Sequence, residues 1–104
     1  MTRGRKPEPL RIGLAVKQYL EQSGLEERID QAAVLPEWAE RVGAGIAAVT
    51  EPLRVSRGTL VVAVRSSAWL MELKLMEREI VRRLNIDRER GRIEAIRFVM
   101  AETA

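Results

Sequence analysis

The chain has 104 residues, a length that suits a single domain. Hydrophobic residues make up 46% and charged residues 32%, a balance that argues against both a membrane protein and a fully disordered chain. The formal net charge is +3, and the absence of cysteine and histidine excludes disulfide frameworks, hydrolytic triads, zinc sites and haem ligation by histidine. We therefore expect a cytoplasmic binding or interaction module without metal, cofactor or small-molecule substrate, rather than an enzyme. No apolar segment follows the N-terminus, so we expect no signal peptide.

Charge is segregated along the chain. The net charge is +4 over residues 1–17, −5 over residues 18–52 and +4 over residues 53–104. If the fold brings the two basic parts together, they form an electrostatic footprint for phosphate. The alternative is that helical surfaces of mixed sign only keep the protein soluble.

The N-terminal part divides into an arm and a helix. Residues 1–9 contain two prolines and a glycine without periodicity, which predicts a flexible basic arm. Apolar residues then recur at helical spacing, which predicts a helix over residues 10–23 that Gly24 ends. We expect residues 10–104 to form one domain.

Two further helices are predicted before the first strand. Residues 25–34 fit a short helix, and Pro36 predicts a break at Leu35 because it disfavours helical geometry in the preceding residue. Pro36 also suits the start of the next helix, which Pro52 follows. One apolar stripe marks that helix and consists of Trp38, Val42, Ile46 and Val49. We expect Trp38, the first residue of the stripe, to lie in the core.

The second half alternates strands and a helix. Residues 53–55 and 60–64 predict a hairpin whose second strand is central, because that strand is apolar on both faces. Ser66 or Ser67 caps a helix over residues 68–84, Asn85 ends it, and residues 93–100 predict a third strand. The order α-α-β-β-α-β indicates an α+β two-layer sandwich, with helices packed on one face of a three-stranded sheet.

Three groups of residues follow one another along the chain in an order that resembles a known protein family. The first is LPEWAERVG at 35–43, followed by 46–47 and 50–52. The second is GTLVVAV at 58–64, followed by 66–69 and 72–73. The third is 84–85 with 96–98. In this pattern the chain resembles the DciA family, bacterial loaders of the replicative DNA helicase with a KH-like domain.

The resemblance implies an assembly role in DNA replication. Members bind the hexameric helicase and help to place it on single-stranded DNA without being ATPases, and the chain has no phosphate-cradling GxxxxGK[ST] loop. The implied localisation is cytoplasmic and nucleoid-associated. The alternative is a KH-like RNA-binding module, although the G-x-x-G loop of nucleic-acid-binding KH domains is absent.

The helix over residues 68–84 supplies the candidate partner surface. Its core stripe lies opposite a face on which apolar side chains stand beside arginines, a combination that suits a protein interface. The candidates on this face are Met71, Leu75, Arg78 and Arg82. Trp69 belongs to the core stripe with Leu73, Met76, Ile80 and Leu84, and is a further candidate because a position just after the serine cap can leave an indole edge exposed. The competing interpretation places Trp69 on the sheet and covers Met71 and Leu75 with the first helix.

Basic residues of the arm and the hairpin supply the candidate nucleic-acid contacts, which are Arg3, Arg5, Lys6, Arg54, Arg57 and Arg65. Aromatic residues are only 4%, so we expect weak, salt-sensitive electrostatic binding without base stacking. The basic loop 88–92 is interpreted as solvated. We expect no catalytic site, because Glu72, Glu77 and Glu79 point in different directions around their helix.

Overall fold

A computed structural model describes residues 15–19 and 24–102 of the chain. Residues 15–19 are helical. The other elements, in chain order, are α1 (Leu25–Ala32), α2 (Val34–Val42), α3 (Ala44–Ala47), β1 (Thr50–Ser56), β2 (Thr59–Val64), α4 (Ser67–Leu75), α5 (Glu77–Leu84) and β3 (Ala95–Met100). The predicted arm, residues 1–9, lies outside the described residues, as does most of the helix predicted over residues 10–23.

The hairpin prediction is confirmed. β1 and β2 pair antiparallel, and the two residues between them, Arg57 and Gly58, have φ values of 49° and 83°. Two consecutive positive φ angles belong to a type I′ turn, whose twist matches that of the flanking strands. Gly58 adopts such an angle at little cost because it has no Cβ.

The central position of β2 is also confirmed. The sheet order is β1-β2-β3, and β3 runs parallel to β2, so α4 and α5 form the crossover between them. The helices pack on one face of the sheet, the face that carries Leu60, Val62 and Val64 of β2 and Ile96 and Phe98 of β3. The core of that layer includes Leu60, Val62, Val64, Leu73, Ile80, Leu84, Ile96 and Phe98. The two-layer α+β sandwich predicted from the sequence is therefore correct.

The predicted helix between Pro36 and Pro52 is wrong in its extent. Gly43 has φ 93° and ψ 160°, which ends α2 and separates it from the short α3. Pro52 lies inside β1 rather than after a helix. It is tolerated there because β1 is an edge strand, and the register shifts between Pro52 and Arg54, as at a β-bulge.

The predicted break at Leu35 is also misplaced. The turn falls at Ala33, and α2 already includes Leu35 and Pro36. Pro36 lies in the first turn of α2, where the N–H that it lacks has no intrahelical acceptor.

The prediction that Trp38 is core is confirmed. Its side chain is 2% exposed, and the indole Nε1 donates a hydrogen bond of 2.8 Å to Thr50 Oγ1. The same hydroxyl donates to the Ile46 carbonyl oxygen over 2.7 Å. These two consecutive hydrogen bonds connect α2, α3 and β1. The indole N–H and the threonine hydroxyl both have partners, so their burial leaves no unsatisfied hydrogen-bonding group.

Candidate partner and nucleic-acid surfaces

The crossover helix begins and turns as a consequence of two local features. Of the two serines predicted as the cap, the structure selects Ser66, whose Oγ accepts a hydrogen bond of 3.2 Å from the Trp69 backbone N–H. At Met76 the backbone leaves helical geometry, with φ −93° and ψ 3°, and divides the predicted single helix into α4 and α5. The predicted buried stripe survives this kink, since Leu73, Ile80 and Leu84 are all 0% exposed.

The opposite face of α4 presents two large apolar side chains to solvent. Met71 is 70% exposed and Leu75 is 84% exposed. They are four residues apart and therefore neighbours on the helix surface. The competing interpretation covers them with the helix predicted over residues 10–23, most of which lies outside the described residues.

Arg78 and Arg82, the other two candidates, are exposed on α5, and their electrostatic environments differ. The Arg82 Nε donates to Glu79 Oε1 over 3.0 Å, and this hydrogen bond lowers the pKa of Glu79 and raises that of Arg82. Arg83 Nε lies 3.9 Å from the same carboxylate oxygen. The Arg78 guanidinium has no carboxylate partner among the described residues, so its charge is the less compensated of the two.

Trp69 combines both interpretations offered by the sequence. Its side chain is half-buried and packs against the core. Its remaining surface borders a shallow depression of about 150 Å³ together with Ala68 and Glu72. The indole therefore supports the sheet from one side and leaves part of its surface open.

The structure separates the predicted nucleic-acid contacts. Arg54 lies in β1 opposite Val61, and Arg57 lies in the hairpin turn. Arg65 follows the six-residue β2 at its other end, about 20 Å from the turn at the usual rise per strand residue. All three are exposed, but they do not form one cluster. Arg3, Arg5 and Lys6 lie outside the described residues.

The sequence interpretation missed Arg97, which the register places in one row with Arg54. Val61 pairs with Arg54 on one side and with Arg97 on the other, so these three residues cross the sheet on the face away from the helices. The sequence did contain a signal for Arg97, because apolar and polar residues alternate along β3. Ile96 and Phe98 are buried, and Arg97 between them is exposed.

The interpretation of loop 88–92 as solvated is wrong for Arg88, whose side chain is only 8% exposed. Its guanidinium donates to the carbonyl oxygens of Leu84 and Asp30 over 3.2 and 3.1 Å. It also pairs with Glu37 over 2.6 Å. The alternating charges concealed this role, because Asp30 and Glu37 lie more than fifty residues earlier in the chain.

Next to Arg88 lies a polar cleft of about 640 Å³. Charges of both signs are balanced in its lining, which contains Arg41, Arg88, Arg90 and Arg92 with Asp30, Glu37, Asp87 and Glu89. Several of these groups already pair with one another, as in the contact of 3.4 Å between Arg41 Nη2 and Glu37 Oε1. The cleft therefore lies where the loop after α5 contacts helices α1 and α2, and ion pairs across it connect these elements.

The carboxylates of the crossover helix do not converge on a reaction centre. Glu77 Oε2 accepts a hydrogen bond of 3.0 Å from the Ile96 backbone N–H, whereas Glu79 pairs with Arg82. Within the described part of the chain, no group of three or more acidic, cysteine or histidine side chains has a geometry that could hold a metal ion. In the same residues, no helix is both long enough and apolar enough to cross a membrane.

Comparison with known proteins gives a consistent family assignment. The profile of the family described as DciA, "Dna[CI] antecedent", matches residues 11–98. A UPF0232 protein of Rhodococcus jostii is 29% identical over 94 residues, covering 90% of this chain and 49% of its own length. A Streptomyces coelicolor UPF0232 protein is 32% identical over 94 residues, covering 88% and 50%. One from Mycobacterium tuberculosis is 30% identical over 80 residues, covering 77% and 42%. The chain thus spans about half the length of these curated relatives.

Proposed function

The chain belongs to the DciA family, and from that premise we propose that it is a non-enzymatic adaptor of bacterial DNA replication. In this role it binds the hexameric replicative helicase and assists its loading onto single-stranded DNA. Its place of action would be the cytoplasm, in association with the nucleoid. The observation that carries the proposal is an outward helix face with two exposed apolar side chains, Met71 and Leu75.

The helicase contact is assigned to the α4–α5 surface, which we define as Met71, Leu75, Arg78 and Arg82 with the exposed edge of Trp69. Leaving Leu75 84% exposed is unfavourable in water, and a partner that covers it gains the corresponding burial energy. Methionine adapts to an irregular partner surface, and arginine supplies paired polar contacts at an interface. Arg78 has no carboxylate partner in the described region and is therefore available to an acidic group of the helicase.

Direct binding of the purified replicative helicase tests this assignment. We expect Leu75→Glu and Arg78→Glu each to weaken binding by at least tenfold, because single anchor residues at interface centres contribute about 2 kcal/mol or more. The measurement is a titration by biolayer interferometry, with circular dichroism to establish that each variant is folded.

Matched controls lie on α1, away from the proposed surface. Ile29 is 55% exposed and Arg28 is exposed, so Ile29→Glu and Arg28→Glu introduce the same chemical changes elsewhere on the protein. These controls are expected to bind as the wild type does. Equal affinities for all four variants would remove the α4–α5 surface from the proposal, and no helicase binding by the folded wild type would overturn the proposal itself.

A further inference from the structure

The arginines of the described region fall into two groups. Six of them have carboxylate or carbonyl partners, one in α2, two in α5 and three in the loop that follows α5: Arg41, Arg82, Arg83, Arg88, Arg90 and Arg92. The guanidinium groups without a partner among residues 15–19 and 24–102 belong to Arg28, Arg54, Arg57, Arg65, Arg78 and Arg97. Four of these six lie on the sheet or at its strand ends. Arginines without an ion-pair partner are therefore concentrated on the sheet.

Two of these arginines form a pair on the sheet face opposite the helices. Arg54 and Arg97 flank Val61 in one cross-strand row, which places their Cα atoms two strand spacings apart, about 9.5 Å. Both side chains are exposed. Side chains of this length can converge on one phosphate or contact two successive phosphates of a nucleic-acid backbone.

The floor between and beside them is apolar. The face contains a shallow groove of about 430 Å³, to which Leu53, Val61, Ala63 and Val99 contribute. Every residue that lines it belongs to the sheet or to the two residues that follow β3. Phe98 is buried on the opposite face and 6% exposed, so it offers no ring to bases here. Sugar and base edges would meet aliphatic side chains.

Carboxylates lie to either side of this row rather than within it. Glu51 and Glu102 line the groove at the end distant from the hairpin turn, because Glu51 pairs with Ala63 and Glu102 follows β3. At the other end, Glu94 lies beside Gly58. A polyanion that crosses the strands along the Arg54–Arg97 row therefore meets the guanidinium groups first.

We propose that the sheet face around Arg54 and Arg97 binds the phosphate backbone of single-stranded DNA. This inference rests on the proposed adaptor function and deepens it, because it adds Arg97 and gives the DNA a defined face. Leu73, which lies between Met71 and Leu75 in sequence, packs towards the sheet, so the α4–α5 surface points away from it. The two-layer fold thus has one face for the helicase and the opposite face for DNA.

Salt-dependent binding of a fluorescein-labelled oligothymidylate to the chain tests the inference. For single strands, each phosphate contact contributes about −0.7 to the slope of log affinity against log salt concentration. We expect Arg97→Ala and Arg54→Ala each to reduce the magnitude of the slope by about 0.7, and the double variant by about 1.4. Arg28→Ala, which removes an unpaired arginine from α1, is expected to leave the slope unchanged.

The outcomes separate this inference from the adaptor function. A slope equal to that of the wild type in the double variant, with the fold intact, would overturn the sheet-face assignment whether or not the helicase still binds. Tighter binding of an oligoglutamate peptide than of the oligothymidylate at equal charge concentration would also overturn it, because the face would then be selective for acidic protein. The same slope change with an oligouridylate is expected, since backbone phosphates are common to both strands.

Discussion

Single side chains that bridge distant segments stabilise this small domain. Asn85 ends α5 and is buried, and its amide makes two hydrogen bonds of 2.8 Å with the backbone of Ile93, one to the carbonyl oxygen and one from the N–H. Both backbone groups are thereby satisfied just before β3. The sequence predicted Asn85 as the end of a helix. Its hydrogen bonds to Ile93 could not be predicted, because only the folded chain defines where Ile93 lies relative to Asn85.

Replacing Asn85 by alanine leaves the Ile93 N–H and carbonyl groups buried without partners. We expect Asn85→Ala to lower the free energy of unfolding by about 1–3 kcal/mol, the usual cost of an unsatisfied buried polar group. Urea unfolding followed by circular dichroism measures this. The control is Glu89→Ala, a truncation of an exposed side chain in the same loop, and an equal midpoint for both variants would contradict the role given to Asn85.

The buried position of Arg88 could not be predicted from the sequence. Its neighbours alternate in charge, a pattern typical of solvated surface. Its buried environment depends on Asp30, Glu37 and Leu84, which three different elements bring together. Arg97 differs, because its exposure follows from the alternation of β3 alone and was predictable once that strand had been assigned.

At the scale of elements, the features predicted correctly are those that depend on neighbouring residues. The hairpin follows from its turn and from the apolar β2, and the crossover follows from the long apolar stripe between two strands. The boundary at Ala33 was predicted two residues late, at Leu35, whereas the boundaries at Gly43 and Met76 were missed. Each of these two interrupts an apolar stripe that runs on through the break, so periodicity alone could not locate it.

The loop between α5 and β3 docks against α1 through a glycine. Gly91 has φ 66°, and a Cβ built on it would lie 2.5 Å from the backbone carbon of Asp30. Backbone cannot move aside as a flexible side chain can, so this contact requires the loop and α1 to separate. Both the positive φ and the close approach therefore require glycine at this position.

Two glycine substitutions should consequently change stability in opposite directions. Gly91→Ala is expected to lower the free energy of unfolding by more than about 1 kcal/mol, through strain at positive φ and the clash with Asp30. Gly45→Ala in α3, where a Cβ would meet nothing within 4 Å, is expected to raise it by about 0.5–1 kcal/mol through helix propensity. Thermal unfolding of both variants measures this, and the same direction of shift for both would contradict the account.

At the scale of the whole molecule, the two proposed surfaces lie on opposite faces of the sandwich. The helix layer presents Met71 and Leu75 outwards, and the sheet presents Arg54 and Arg97 on the side that no helix of the described residues covers. A domain with this arrangement can hold a protein partner and a nucleic-acid strand at the same time without competition between them. The resemblance found in the sequence predicted the family correctly, but the separation of the two faces required the strand register.

Transfer of the replicative helicase onto a circular single-stranded DNA tests the adaptor role most directly. The measurement is the amount of helicase that remains on the DNA after gel filtration, with and without this chain. We expect the wild type and Ile29→Glu to increase the bound helicase, and Leu75→Glu to leave it at the level found without adaptor. An unchanged amount of bound helicase in the presence of folded wild-type chain would contradict the account.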